Sequence, residues 1–483
     1  MAYISSHKGQ NWLLPPSIKQ MIPENHICFF VEEFVDTLDF SKIDMINEGP
    51  GHPAYHPRII IKILIQGMLS KERSSRRLSN ACRENVVFMY LAERVQPSFK
   101  TICRFRVKYA QVIKDIFKET VTFASKLNLI DLSLICLDGS KIKANAGKKR
   151  FLKEEQIDQL DSIIDKMIED DIASDEAEEN ISKGKEENLA TIDTKNLKEI
   201  IKSFRKNENK SLLKSQCKEA KKEFENSNAQ ERVSLTDPSS RMSKNKRGAY
   251  ELGYNTQFTV DSKNQIILAN DVCSDVTDMN QLIPQIENTK QNVVLKKDTK
   301  VAADAGYNSA KNFQYLEEQC MIGYIPNQPQ AQKLNGRKIS ANQDDYDYDW
   351  QTEEIIIGGV RLQKKYVWFD RTKNANKCLF VSEDGKVTKK LPLNFKERLR
   401  MKNRMKSDEG IRIYQMRQHI VEPVIGNIKY NLGLSEFSLR SIRNVKMELN
   451  LACIVHNLKK IWIGRMKLTN KKEGIEIIIH FYY

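Results

Sequence analysis

Along the chain, apolar positions recur first at helical and then at strand spacing. Residues 1–130 read as helical. His56-Pro57 opens the apolar run RIIIKILIQGML. It predicts a buried helix beginning at the proline, whose missing N–H is harmless in a first turn. The basic segment SKERSSRRLSNACRE follows, with Ser74 or Ser75 as the candidate N-cap. Pro97-Ser98 then introduces FKTICRFRVKYAQVIKDIFKETVTF, which predicts one long amphipathic helix with Lys100, Arg104, Arg106 and Lys108 in its first turns.

Beyond residue 130 the pattern changes. Ser133–Leu137 is a short apolar run, a buried strand ending in Asp138-Gly139-Ser140, and Lys141–Ala144 reads as the return strand. Residues 150–235 are highly charged, with apolar positions at Ile157, Leu160, Ile164, Met167 and again at Leu197, Ile201, Phe204. Such spacing predicts a helical hairpin inserted into the core. After Thr236-Asp237-Pro238, Tyr254, Thr256, Phe258 and Val260 alternate along a strand, and Gln265–Val272 returns as its hairpin partner. A helix is expected over about Thr277–Gln291. Lys300–Ala303 is a small-residue strand ending in Asp304-Ala305-Gly306-Tyr307, with Asn308 or Ser309 capping the next helix and Met321–Ile325 as a further strand. The order predicts a mixed α/β sheet with Asp138 and Asp304 at strand C-terminal ends. A carboxylate there is held rigidly yet reaches solvent, although an Asp can also merely cap a turn. Residues 327–395 are polar and β-prone, a second insertion carrying Trp350 and Trp368. A last helix, Ile442–Ile463, is expected to close the sheet core.

Between them lies Tyr414–Lys429, YQMRQHIVEPVIGNIK. On a helical wheel of about 100° per residue, Ile413, Met416, Ile420 and Val424 form an apolar stripe. Glu422 and Lys429 share the opposite face with Gln415 and Gln418. A solvated helix back would look the same, unless other segments supply partners for Glu422; Asp138 and Asp304 are the candidates. Pro423 predicts a kink or a fresh helix start beside Glu422.

Composition narrows the partner. Lys and Arg number 78 against 63 Asp and Glu, a formal net charge of +15 over 483 residues. The balance favours a polyanion, nucleic acid ahead of a membrane surface. Nine cysteines occur singly without a CxxC pair, which argues against a disulfide framework or cysteine zinc site. No run approaches the roughly 18 apolar residues of a membrane span, and the N-terminus lacks a signal-peptide core, so a soluble cytoplasmic protein is expected. Short helices with basic first turns, around Arg76, Arg77, Lys100 and Arg104, suit DNA docking of the helix-turn-helix type; a helical bundle with a basic surface is the alternative.

Asp138, Asp304 and Glu422 make a set of oxygen donors suited to hard divalent ions in phosphoryl transfer. Spacing alone does not select them. The chain resembles bacterial insertion-sequence transposases of the DDE, ribonuclease-H-like superfamily. The resemblance is carried by SSRRLSNACRENVVFMYL, PSFKTICRFR, LDGSKIKANA, TDPSSRM, GYNTQFTVDSKNQII, ADAGYNS and YQMRQHIVEPVIGNIK. Tyr414, Arg417, Glu422 and Lys429 occupy the family's Tyr-x2-Arg…Glu-x6-Lys signature, with four residues between Arg and Glu where the commoner form has three. The resemblance implies a ribonuclease-H-like core over 131–149, 236–326 and 396–465, a DNA-binding domain over 1–130, insertions at 150–235 and 327–395, and a tail at 466–483. It implies that Asp138, Asp304 and Glu422 hold two Mg2+, with Mn2+ as a substitute. Cleavage of the element's terminal inverted repeats and strand transfer into target DNA would follow, carried out by a homodimer in a bacterial nucleoid. Lys429 and Arg417 would contact the DNA backbone, Tyr414 would stack on sugar or base, and Trp350 or Trp368 on a flipped base. Relatives carry cysteine pairs in the second insertion, where this chain has only Cys378. A transposase-derived DNA-binding protein that no longer cuts, or a nuclease on the same core, are the alternatives.

Overall fold

The computed structural model describes residues 17–41, 43, 54–177, 200, 210–226, 231–244, 248–336, 346–372 and 375–470. The described residues divide into two compact units. The first is drawn from the chain up to Phe123, from Ile428–Leu439 and from Arg443 onward; the second from Ala124–Asn427 and Arg440–Ile442.

The first unit is helical: α1 (Ile27–Asp36), α2 (Pro57–Leu69), α3 (Ser75–Glu84), α4 (Val86–Leu91), α5 (Phe99–Lys108) and the start of α6 (Ala110–Lys126). Helix α2 begins at Pro57 as its sequence predicts, and His56 caps it by accepting a hydrogen bond from the Arg58 amide. The single helix expected from Phe99 is instead two, because Tyr109 leaves helical geometry at φ −108° and ψ 31° between α5 and α6. Arg106, expected on a basic outer turn, is buried.

The C-terminal helix, Ile442–Asn470, groups from Arg443 with these helices rather than with the sheet as expected. Asn457 donates to Thr120 Oγ1 at 3.1 Å and Arg465 to Glu33 at 2.8 Å. Its residues Leu449, Leu451, Ala452, Cys453, Ile454 and Val455 are all buried, so apolar side chains cover every face. Periodicity identifies such a helix as buried but cannot name its neighbours. Glu448, also buried, accepts from Arg73 Nη1 at 2.9 Å, from the Ser438 hydroxyl at 2.7 Å and from the Ser438 and Leu439 amides.

In the second unit, six described strands form the main sheet: β1 (Leu134–Lys143), β4 (Arg241–Lys244), β5 (Tyr250–Asp261), β6 (Ile267–Cys273), β7 (Lys300–Ala303) and β8 (Ile322–Tyr324). Its order is β4-β5-β1-β7-β8, with β6 also on β5. β1 is antiparallel to β5 and parallel to β7, and β7 is parallel to β8. Central strand β5 is buried on both faces from Gly253 to Asp261. Helix α9 (Leu282–Lys290) starts later than periodicity suggests, and α10 (Ala310–Glu318) is capped by Ser309, which accepts from the Asn312 amide.

Two further assemblies interrupt the sheet. Helices α7 (Glu154–Ala177) and α8 (Lys210–Asn226) pack through Ile157, Leu160, Ile164, Leu213, Cys217 and Phe224. The pair of short strands β2 (Phe151–Leu152) and β3 (Val233–Ser234) closes their base. Leu197, Ile201 and Phe204, expected on the second helix, lie outside the described residues. After α11 (Gln328–Leu334), strands β9 (Asp347–Asp349), β10 (Glu354–Ile357), β11 (Val360–Asp370), β12 (Ala375–Ser382) and β13 (Thr388–Pro392) form an antiparallel sheet ordered β13-β12-β11-β10-β9. Cys378 is buried in its apolar core with Tyr348, Ile355, Leu362 and Phe380. Helices α12 (Phe395–Arg404) and α13 (Asp408–Gly426) then return to the main sheet.

Candidate active site

Parallel pairing of β1 with β7 ends at Leu137 opposite Ala303. The next residue on each strand is an aspartate, Asp138 and Asp304, so both acids follow the last pair of adjacent strands whose backbones lie about 4.8 Å apart. Asp304 leaves β7 and caps the short 3-10 turn Ala305–Tyr307, its Oδ1 accepting from the Gly306 amide at 2.7 Å. Asp138 departs from expectation. It lies mid-strand, because β5 supplies an antiparallel partner all the way to Lys143 after β7 has stopped.

Helix α13 packs over β1, β5, β7 and β8. Its buried face is Ile413, Tyr414, Arg417, Ile420, Val421 and Val424. Met416, placed on the apolar stripe by periodicity, is 42% exposed, and Arg417 takes the inner position instead. The reason is electrostatic: Arg417 Nη1 donates to Asp138 Oδ2 at 2.9 Å. The Arg417 guanidinium also lies 5.3 Å from the Tyr414 ring centre. Tyr414 and Arg417, expected against DNA, therefore face the sheet. Burial raises the Asp138 pKa to about 6, opposed by Arg417 and reinforced by Asp304. Burial likewise raises Asp304, against the pull of Arg417.

Glu422 is exposed on α13. It follows Arg417 by five residues, roughly 7.5 Å along the axis and about 140° around it. The helix neither stops nor restarts at Pro423 but continues to Gly426. Proline cannot donate to the carbonyl four residues back, that of His419. The Gln265 side chain fills the vacancy, its Nε2 donating to His419 O at 2.9 Å. Lys429 lies beyond α13, in the π-helical turn Asn427–Asn431, and belongs to the first unit.

Sequence reasoning missed Asp278. Its Oδ1 accepts from Asn255 Nδ2 and Gln257 Nε2, each at 2.7 Å. Gln257 Oε1 in turn accepts from the buried Tyr307 hydroxyl. Glycines make room for this carboxylate: a Cβ at Gly139 would stand 2.5 Å from Asp278 Oδ1, and one at Gly306 3.3 Å from Asp278 Oδ2. The glycine after Asp138 is thus explained by a third acidic residue from the loop before α9, whereas Gly306 mainly leaves room for Asp304 Oδ1, 2.9 Å from its would-be Cβ. The only signal for Asp278 was the polar run CSDVTDMN.

Carboxylate oxygens suit a hard divalent cation in kind. Asp138 and Asp304, both raised by burial and Asp138 further by its neighbour, have the electrostatic need for one. Among the described residues, however, no three His, Cys, Asp or Glu side chains are gathered closely enough to hold a metal ion. The pair fits; Glu422 is not drawn to it in this conformation, where Arg417 compensates Asp138.

Two family models match the chain: Transposase domain (DUF772) over residues 16–108 and Transposase DDE domain over residues 373–462. The two matches support an insertion-sequence transposase of the DDE type. The second match carries Tyr414, Arg417, Glu422 and Lys429 of the transposase, whereas Asp138 and Asp304 lie outside both. No curated protein matches the chain.

The first match holds the transposase's basic helices. Helices α3 and α5 pack together. The Arg76 guanidinium lies 5.2 Å from the Phe99 ring centre, linking the two helix starts. Arg77 is exposed and pairs with Glu72 at 3.3 Å; Lys100 and Arg104 are exposed on α5. Ser74 stands at the N-cap of α3 without a side-chain capping bond. In the second insertion Trp350 is exposed, with Arg400 5.7 Å from its ring centre, and Trp368 is half-buried. No described helix is long and apolar enough to cross a membrane.

Proposed function

We propose that this transposase binds the ends of its element and catalyses cleavage and strand transfer at Asp138, Asp304 and Glu422 on a ribonuclease-H-like core. The observation that carries the reading is the juxtaposition of Asp138 and Asp304 at the end of the parallel β1–β7 ladder. They reach that point from segments more than a hundred residues apart in the chain, under the helix that bears Glu422. A mixed sheet with two adjacent parallel strands bearing the acids supports the core expected from the family resemblance.

Asp138 and Asp304 would hold Mg2+, or Mn2+ in its place, with Glu422 as the third protein ligand. When bound, such ions activate the attacking oxygen and stabilise the leaving one. The chain's own residues do the positioning. Backbone amides of Gly139 and Gly306 fix one oxygen of each aspartate. Arg417 neutralises Asp138 by donating to its Oδ2, and that oxygen would be free to hold a cation only with the arginine turned away. Tyr414 backs the guanidinium and keeps it beside the acids. The basic first-turn residues Arg76, Arg77, Lys100 and Arg104 supply phosphate contacts to the element ends, with Lys429 contributing another.

The test is a gel assay with the full chain, Mg2+ or Mn2+, and end-labelled duplexes taken from the DNA flanking its gene. Cutting followed by joining to a second duplex supports the proposal. Binding alone would make the protein a DNA-binding descendant of a transposase, and cutting without joining a nuclease.

A further inference from the structure

A cleft of ≈ 470 Å³ in the second unit is lined by Lys389, Lys390, Arg398 and Lys402, with Tyr346 and Phe395. No acidic residue lines it among the described residues. The cations come from β13 and from α12, and α12 sorts its charges by face. Lys396 donates to Glu353, and Arg400 Nε donates to Glu317 Oε1 at 2.9 Å. Arg398 and Lys402, four residues apart and so on one helical face, turn to the cleft with Phe395. The Lys389 ammonium lies 5.9 Å from the Tyr346 ring centre.

The cleft also reaches the catalytic loop. Asn308 lines it and follows Asp304 by four residues, so the chain permits a separation of at most about 14 Å. Its volume lies in the range of about 300–1,000 Å³ typical of ligand pockets. That is too small for a duplex. A basic groove of this size suits a single strand, whose phosphates the cations can follow.

We infer that this cleft binds a short single-stranded segment of DNA through its phosphodiester backbone. The inference rests on the transposase reading above and adds where one strand lies as the carboxylates act on it. Lys389, Lys390, Arg398 and Lys402 are its phosphate contacts.

The experiment measures fluorescence anisotropy of a labelled oligothymidylate of about eight nucleotides with the full chain. The variant carries Lys390→Ala and Arg398→Ala, both at exposed positions, so the fold is retained. Its affinity for the single strand is expected to fall at least about tenfold. The slope of log affinity against log salt should flatten by about 1.4, about 0.7 for each lost phosphate contact. Affinity for a duplex from the element end should stay within about twofold, since the helices around Arg76 and Lys100 hold it. Unchanged single-strand binding by the variant would overturn the inference, as would equal competition by an oligoglutamate peptide. If the parent binds the duplex but no single strand, only this inference fails. If it binds neither, the transposase reading fails with it.

Discussion

Arg417 Nη1 and Asp138 Oδ2 stand 2.9 Å apart, with 6% of the arginine and 15% of the aspartate side chain exposed. Helix α13 therefore supplies the countercharge for the carboxylate in the middle of β1. Removing one partner of such a buried pair leaves the other charge uncompensated, at about 3–5 kcal/mol. Arg417→Ala is expected to lose that much stability in urea denaturation at neutral pH without divalent ions. The pH dependence has a definite sign. Asp138, raised from 3.8 to about 6, contributes stability that is complete below about 3.8 and is lost as pH rises through about 6. The deficit of Arg417→Ala should thus be smallest at pH 5 and grow towards pH 8. An equal deficit at both would contradict the pairing.

Gln265 and Pro423 form a second testable couple. Gln265→Ala leaves the His419 carbonyl without its donor and is expected to cost about 1 kcal/mol. Pro423→Ala restores a backbone N–H to that carbonyl. In the Pro423→Ala background, Gln265→Ala should then cost almost nothing, so a double-mutant cycle should give a coupling near 1 kcal/mol. Additive losses would show that the amide does no more than touch the helix. Because α13 carries Glu422, DNA cleavage by Gln265→Ala should fall with the same dependence on Pro423.

Much of this was readable from the sequence, and the failures have physical causes. The β7 strand, the proline start of α2 and the hairpin around Asp261–Asn264 follow from residue pattern, because each is set by local geometry. Asp304 could be named as a strand-end acid because a run of small apolar residues leads into it, whereas Asp138, named the same way, lies mid-strand because β5 extends the pairing beyond it. Their adjacency was expected from the family resemblance and not from residue pattern, since parallel pairing depends on which distant strand fills the sheet. Met416 was placed on the inner face because a helical wheel sorts residues by polarity, whereas a buried carboxylate draws Arg417 inward. Asp278 was missed because it lies in a loop without periodicity. Its importance shows in what the glycine at 139 leaves room for. The C-terminal helix was assigned to the wrong neighbours because an all-round apolar surface has no direction.

The basic helices of the first unit give a salt-dependent prediction. Lys100 and Arg104 are exposed on α5. Lys100→Ala with Arg104→Ala should weaken binding of an element-end duplex and reduce the slope of log affinity against log salt by about 1.8, about 0.9 per phosphate. Titrations between 50 and 200 mM salt, about the range over which such slopes are measured, provide the check. An unchanged slope would move the duplex contact elsewhere.

The central claim is that Asp138, Asp304 and Glu422 act as one centre. It is tested most directly by cleavage of a labelled element-end duplex in Mg2+ by Glu422→Gln beside Asp298→Asn. Asp298 is exposed just ahead of β7 and has φ 63°, a conformation asparagine tolerates, so its variant controls for folding and charge. The account predicts that Glu422→Gln binds the duplex as the parent does but cuts at least about a hundredfold more slowly, a loss of roughly 2.7 kcal/mol in transition-state stabilisation, while Asp298→Asn cuts normally. Normal cutting by Glu422→Gln together with an inactive Asp298→Asn would contradict it.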